Sequence, residues 1–262
     1  MCRRRCRIRV TILGCSGGVA AGLRTTCLML DDDTLVDTGT GAGDLTLSQM
    51  LRINTVFLTH SHLDHVALLP MLADAVGPRR NVPLVVYALQ ATIEALRQNV
   101  FNSRLWPDYT TFPSPQNPYV VFRPISVGQT VEMPGRRKIT PLPVRHAVPA
   151  VAYQLDSGAA SFVFSGDTTY HEPFWQCLTA ISNLRYLMIE ATFRNNNVTG
   201  AEVSGHMRPE LLAKGLRLLH KPVRFLVTHM EPGHEDETMS EIWAAAAEFS
   251  PERLERGQSF EF

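Results

Sequence analysis

The sequence has no Cys-x-x-Cys pair, and its cysteines are five, an odd number, at Cys2, Cys6, Cys15, Cys27 and Cys177. That excludes a fully paired disulfide framework and a Cys-x-x-Cys metal site, so the cysteines are expected to be free thiols, several of them buried. Surplus charge of either sign is also missing: Lys+Arg and Asp+Glu both total 25. Chains that grip long stretches of nucleic acid usually carry a basic excess, so nucleic acid is not expected as a partner. No long apolar run follows the basic start, where Arg3, Arg4, Arg5, Arg7 and Arg9 fall. Neither a secretion signal nor a membrane span is therefore expected, and the expected location is cytoplasmic. There is no Gly-x-x-x-x-Gly-Lys-Ser/Thr loop for nucleotide phosphates, since Gly14-Cys15-Ser16-Gly17-Gly18 lacks the lysine and the helix context and reads as a tight turn. Low-complexity tracts are absent as well. The one biased segment, 107–118, is rich in proline and aromatics and reads as a loop crossing the surface, with cover over a site as the alternative.

What is present is enough apolar material for one large core: 262 residues with 45% hydrophobic content, read as one domain over residues 1–262. Short apolar runs at 8–13, 26–30, 34–36, 55–58, 84–87, 120–122, 139–142, 151–155, 162–164, 186–189 and 225–227 predict strands. Patterns at 66–75, 91–100, 172–182, 209–219 and 237–249 predict helices. Many strands interleaved with helices imply a mixed α/β sandwich, sheets inside and helices outside. One weak echo runs through it. Val56-Phe57-Leu58-Thr59-His60 and Phe225-Leu226-Val227-Thr228-His229 are both apolar strands ending in Thr-His, which could deliver two histidines to one edge.

The strongest signal is His60-Ser61-His62-Leu63-Asp64-His65, directly after an apolar strand and directly before an apolar helix. Imidazole nitrogen and carboxylate oxygen suit Zn²⁺, Mn²⁺ or Fe²⁺, and a turn leaving a strand can aim alternating side chains at two adjacent ions. A polar turn that merely happens to be histidine-rich is the bland alternative. With nine histidines in the whole chain, three within six residues weigh against it.

In these residues the sequence resembles the metallo-β-lactamase superfamily, whose ordered motifs span nearly the whole chain. The resemblance implies an α/β fold of four layers, an αβ/βα sandwich. It implies that Asp37, in Asp37-Thr38-Gly39, is a carboxylate orienting a metal-bound histidine. His60, His62 and His146 would hold a first ion; Asp64, His65 and His229 would hold a second; Asp167, in Ser165-Gly166-Asp167-Thr168, would join them. Two divalent ions, zinc first with manganese or iron as alternatives, would hold a bridging hydroxide and stabilise charge on the attacking and leaving oxygens.

A second constellation, Glu190-Ala191-Thr192-Phe193 with Ser204-Gly205-His206-Met207-Arg208-Pro209, resembles a motif of the superfamily's phosphodiesterase side. There a glutamate orients a histidine that binds phosphate or protonates the departing alkoxide. The resemblance makes Asp64, Glu190 and His206 the catalytic residues. It lies nearest the class II 3′,5′-cyclic-nucleotide phosphodiesterases and, more distantly, the tRNA 3′-processing endonucleases. Those endonucleases carry a long arm between the third-motif histidine and the bridging aspartate, an interval that here is 147–166 and strand-like. The expected function is hydrolysis of a small phosphodiester, a 3′,5′-cyclic nucleotide, with a homodimer as an admissible assembly. The alternatives are a tRNA-processing endonuclease, a hydrolase of non-phosphate esters, and a scaffold that kept the fold without the chemistry.

Overall fold

The computed structural model describes residues 7–262, so the expectations for Cys2, Cys6 and the arginines at 3–5 lie outside the described residues. In chain order the first strands are β1 (Arg9–Gly14), β2 (Cys27–Leu30), β3 (Thr34–Val36), β4 (Thr55–Phe57), β5 (Leu84–Ala88), β6 (Pro113–Ser114), β7 (Asn117–Pro118) and β8 (Val120–Pro124). They are followed by β9 (Val131–Glu132), β10 (Lys138–Pro143), β11 (Val151–Asp156), β12 (Ser161–Phe164), β13 (Leu184–Glu190), β14 (Arg224–Thr228), β15 (Glu252–Arg253) and β16 (Ser259–Glu261). The helices are α1 (Leu47–Met50), α2 (Leu63–Val66), α3 (Leu69–Val76), α4 (Gln90–Asn99), α5 (Glu172–Ala180), α6 (Val198–Ser204), α7 (Pro209–Leu216) and α8 (Glu235–Ala246).

The strands build two seven-stranded sheets, ordered β16-β1-β2-β3-β4-β5-β8 and β15-β14-β13-β12-β11-β10-β9. Each is part antiparallel and part parallel; β3, β4, β5 and β8 run parallel in the first, β12 to β15 in the second.

Why these sheets lie inside is written in the strands themselves, several of which are apolar on both faces and so need cover on both. Leu28 and Leu30 of β2 point into a central cluster with Phe57, Phe162, Met188 and Leu226, drawn from both sheets. Cys27 and Met29, the alternate residues, point the other way. There they meet Leu69, Leu72, Ala73 and Val76 of α3 and Ile93 and Leu96 of α4. On the far side Val163, Leu187, Ile189 and Val227 pack against Phe174 and Trp175 of α5, Leu212 and Leu216 of α7, and Met239 and Ile242 of α8. Three apolar clusters therefore separate four layers: helix, sheet, sheet, helix.

Three expectations need adjusting. The helix read at 66–75 is broken into α2 and α3, with Pro70 in the first turn of α3. Proline lacks an N–H and favours a helix start, so the break falls just before it. Among the described cysteines, all free, only Cys27 is buried, while Cys15 and Cys177 are half-buried. The 107–118 segment closes at 113–118 in the β6–β7 hairpin, and Tyr109 in the turn before it is buried in the α3–α4 cluster and donates its hydroxyl proton to Asp74. Among the described residues, no helix is long and apolar enough to cross a membrane.

Candidate metal centre

The carboxyl ends of the parallel strands meet at one edge, the usual place for ligands in open α/β sheets. Asp37 follows β3, and His60, His62, Asp64 and His65 lie between β4 and the end of α2. His146 follows β10, Asp167 follows β12, Glu190 ends β13 and His229 follows β14. Both sheets thus contribute. Asp37 and His229 sit at φ +58° and +60°, a left-handed conformation that costs non-glycine residues energy and is tolerated where side-chain aim is decisive.

Besides Glu190, His206 and His229, which also gather but of which the first two are already hydrogen-bonded to each other at 2.8 Å, two groups of donor atoms result. His60, His62, His146 and Asp167 form one, with His146 Nε2 3.1 Å from His62 Nδ1 and His60 Nε2 3.5 Å from Asp167 Oδ2. Asp64, His65, Asp167 and His229 form the other. In it His65 Nε2 lies 3.2 Å from His229 Nε2, and His229 Nε2 lies 3.2 Å from Asp64 Oδ2 and 3.4 Å from Asp167 Oδ1. Asp167 belongs to both, its Oδ2 also 3.3 Å from His65 Nε2.

The chemistry of these atoms fits divalent ions. Each imidazole except that of His62 has its other nitrogen engaged: His60 on Thr59 Oγ1 at 3.0 Å, His65 on Asp37 at 2.7 Å, His146 on the Gly205 carbonyl at 3.2 Å, His229 on Thr192 Oγ1 at 3.0 Å. With those nitrogens donating, the second nitrogens offer lone pairs to one another and to a carboxylate, an arrangement that repels unless a cation lies between them. His60 Nε2 and Asp167 Oδ1 are buried without a hydrogen-bond partner. Nitrogens bound at about 2.0–2.1 Å to a tetrahedral zinc stand roughly 3.3 Å apart, close to the 3.1 Å between His146 and His62 and the 3.2 Å between His65 and His229. Burial pushes the imidazoles of His60, His62 and His146 below their usual pKa, keeping them neutral. Burial opposes charge on Asp167, but the surrounding histidines, His229 and His65 foremost, hold its carboxyl well below the carboxylate range.

Two threonines that sequence reasoning did not single out organise the surroundings. Thr59 donates its hydroxyl proton to Asp37 Oδ2 at 2.8 Å and accepts from His60, so that Asp37 positions His65 directly and His60 through the hydroxyl. Thr192 donates to Glu190 Oε2 at 2.8 Å and accepts from His229, so that Glu190 holds His206 directly, at 2.8 Å from Nδ1, and His229 through the hydroxyl. The Thr-His echo does bring His60 and His229 to one edge, but its two threonines differ: Thr59 bonds His60, whereas the hydroxyl of Thr228 bonds the Cys15 carbonyl.

Glu190 is fully buried and stays satisfied because its oxygens also accept the backbone N–H groups of Thr168, Thr192 and Met207 at 2.7, 3.2 and 3.1 Å. Burial disfavours a charged His206, yet the Glu190 carboxylate outweighs it and raises the imidazole pKa from 6.5 to about 9. His206 therefore carries a proton at neutral pH, with its Nδ1 edge committed to Glu190. His62, Asp64, Asp167, His206 and His229 line one cavity of ≈ 330 Å³. Gly17 lines it too, donating its backbone N–H to the Met230 carbonyl at 3.0 Å, so the glycine-rich turn lies beside the donor groups.

Solved structures of the same fold include the metallo-β-lactamase fold protein YhfI of Bacillus subtilis, with a TM-score of 0.76 and 23% identity over 98% of this chain and 100% of that one. Unliganded PDE1 of yeast matches with a TM-score of 0.79 and 18% identity over 96% of this chain and 98% of that one. In sequence, the chain is 26% identical over 281 aligned positions to a probable 3′,5′-cyclic-nucleotide phosphodiesterase of Yersinia pestis, covering 86% of this chain and 79% of that one. Residues 33–230, a range that takes in every donor residue from Asp37 to His229, match the model of the β-lactamase superfamily domain, and the chain belongs to that family.

Proposed function

We propose that this chain is a metal-dependent phosphodiesterase that hydrolyses a 3′,5′-cyclic nucleotide, its whole length serving as one hydrolase domain. The observation that carries this reading is His206, held by a buried glutamate and opening onto the same cavity as the two donor groups. A phosphodiester with a ribose oxygen as leaving group needs a proton delivered to that oxygen, and a charged imidazole beside the metal-ligating groups supplies it. The name of the Yersinia pestis relative, which aligns over most of both chains, supports the same substrate class.

In this reading His60, His62 and His146 hold one ion, Asp64, His65 and His229 the second, and Asp167 is shared. Two divalent ions, zinc by the nitrogen-rich donor set, would lower the pKa of water toward neutrality and stabilise charge on phosphate oxygens. Asp64, His206 and Glu190 do the remaining work. Asp64 offers a carboxylate to the cavity, its side chain 31% exposed against 2% for Asp167. His206 protonates the departing 3′-oxygen. Glu190 keeps that imidazole charged and aimed.

A small substrate is also favoured by the interval between His146 and Asp167. It consists of a short connection, β11, β12 and the turn closed by Ser157 N–H to the Ala160 carbonyl at 3.1 Å, which leaves no arm for a tRNA body.

The test is a parallel assay of the metal-loaded protein on cyclic AMP, cyclic GMP, bis(p-nitrophenyl) phosphate and a tRNA precursor with a 3′ trailer, together with elemental analysis. About two ions per chain and cleavage of a cyclic nucleotide are expected. Correct tRNA cleavage with inert cyclic nucleotides, or no metal uptake, would overturn the reading.

A further inference from the structure

One wall of the cavity is made of groups that neither the donor clusters nor the Glu190–His206 pair uses. Phe193 and Pro232 give it apolar faces, and Glu231 gives it a carboxylate. The cavity volume of ≈ 330 Å³ lies in the range of small-molecule sites. Phe193 follows Thr192 directly and stands with its ring 5.7 Å from that of His206, nearly perpendicular to it.

The backbone that carries Glu231 is fixed. Its N–H donates to the Thr192 carbonyl and its own carbonyl accepts from His234, both at 3.1 Å. The glycine-rich turn packs beneath: a Cβ on Gly17 would lie 2.6 Å from the His229 carbonyl, and one on Gly18 3.0 Å from Pro232 Cγ.

Its side chain is a different matter. Neighbouring acids are engaged, Glu235 by the Gly233 N–H at 2.9 Å, Glu241 by the Asn195 N–H at 2.7 Å, Glu237 by Arg194 and Asp236 by Arg253. The half-buried carboxylate of Glu231 has no hydrogen-bond or ion-pair partner among the described residues. A carboxylate in the wall of a cavity that receives an anion opposes binding by like charge, unless the substrate itself brings donors to it.

Resting on the phosphodiesterase reading, we infer that Glu231 is a specificity-determining residue that accepts the N1–H and exocyclic N2–H of a guanine base lying between Phe193 and Pro232. Guanine presents two adjacent N–H donors on one edge, which matches the two oxygens of a carboxylate. Adenine presents one donor beside an acceptor on that edge, and the acceptor would face a carboxylate oxygen with no proton between them. Hypoxanthine keeps the N1–H alone.

The experiment measures kcat/KM of the metal-loaded protein for cyclic GMP, cyclic IMP, cyclic AMP, 2′-deoxy cyclic GMP and bis(p-nitrophenyl) phosphate, in the native chain, Glu231→Gln and Glu231→Ala. Calorimetric titration with GMP and AMP accompanies it, so that base recognition is read without turnover. The native protein should prefer cyclic GMP to cyclic AMP by about 10²-fold or more, with cyclic IMP between, since a polar group of the site that the bound base covers and leaves unpaired disfavours that base. Glu231→Ala should lower kcat/KM for cyclic GMP about 10²-fold more than for the aryl diester, and Glu231→Gln should give a part of that loss. Equal use of cyclic GMP and cyclic AMP, or an equal loss on all cyclic substrates in Glu231→Ala, would overturn the inference. So would a penalty for 2′-deoxy cyclic GMP that vanishes in Glu231→Ala, because the carboxylate would then be holding the ribose. If no cyclic nucleotide is cleaved, the phosphodiesterase reading fails by itself. In that event a GMP preference lost in Glu231→Ala still upholds the base contact, and no preference removes it.

Discussion

His206 can give up a proton only while its imidazole is charged, and Glu190 decides at what pH that holds. Because the pKa is raised to about 9, the protonated form is present below that value and lost as pH rises through it. Bound dications nearby push the same group downward, so the descending limb of kcat for cyclic nucleotide hydrolysis is expected at or below pH 9. Glu190→Gln should move that limb to lower pH, and a limb that stays put would show that another group titrates. His206→Ala should keep the metal content and slow cyclic nucleotide hydrolysis by roughly 10²- to 10⁴-fold. The loss on an aryl diester should be much smaller, since p-nitrophenolate leaves without a proton. Loss of an ion on His206→Ala would instead make it a ligand. At this scale the sequence was informative wherever the chemistry is rare: histidines and acids clustered at strand ends can be seen in a row of letters. Thr59, Thr192 and Glu231 could not, because threonine is common in strands and glutamate on surfaces. Their meaning arises only when the fold brings Asp37, Glu190 or an empty wall to them.

Among the elements, the long apolar strands and the amphipathic helices were legible because periodicity reports which faces are covered. The edge strands β9, β15 and β16 have two or three residues each, too few for a period to register. Helix-to-helix contacts that depend on a missing side chain were equally hidden. Gly215 of α7 is one: a Cβ there would stand 2.0 Å from the Trp175 ring of α5, so the two helices approach as closely as they do only because that position is glycine. Gly215→Ala is therefore expected to destabilise by about 1–3 kcal/mol through overpacking, with Tm lower by roughly 2–4 °C per kcal/mol. The remaining folded protein should keep its kcat. Differential scanning calorimetry beside a standard assay checks both, and an unchanged Tm would mean that α7 slides away at no cost. Gly39 hides a similar constraint in the Asp37-Thr38-Gly39 turn, where a Cβ would meet the Asp64 carbonyl at 2.2 Å and the Thr26 carbonyl at 2.6 Å. The turn that aims Asp37 thus also sets how near α2 can come.

The molecule as a whole has its donor residues divided between its two sheets. His60, His62, Asp64 and His65 hang from the first, and His146, Asp167 and His229 from the second. Protein bonds already cross there, with Val151 donating its N–H to the Thr59 carbonyl at 3.0 Å and Tyr153 its hydroxyl proton to the Leu58 carbonyl at 2.8 Å. Ions that bind the native arrangement and not the unfolded chain add stability, about 2.7 kcal/mol for each site filled at 100 times its Kd. Chelation should accordingly lower Tm by several degrees, reversibly on adding zinc. Hydrogen exchange in the stripped protein should speed up at residues 58–67, 145–151, 165–169 and 228–232, while the strand interiors stay protected. Uniform acceleration across both sheets would argue against a local effect. The division of donors makes the centre a clasp, fastened from two halves that each carry part of the catch. A substitution that spoils the catch opens the seam as well, so in a chain built this way a loss of turnover and a loss of cohesion at that edge arrive together.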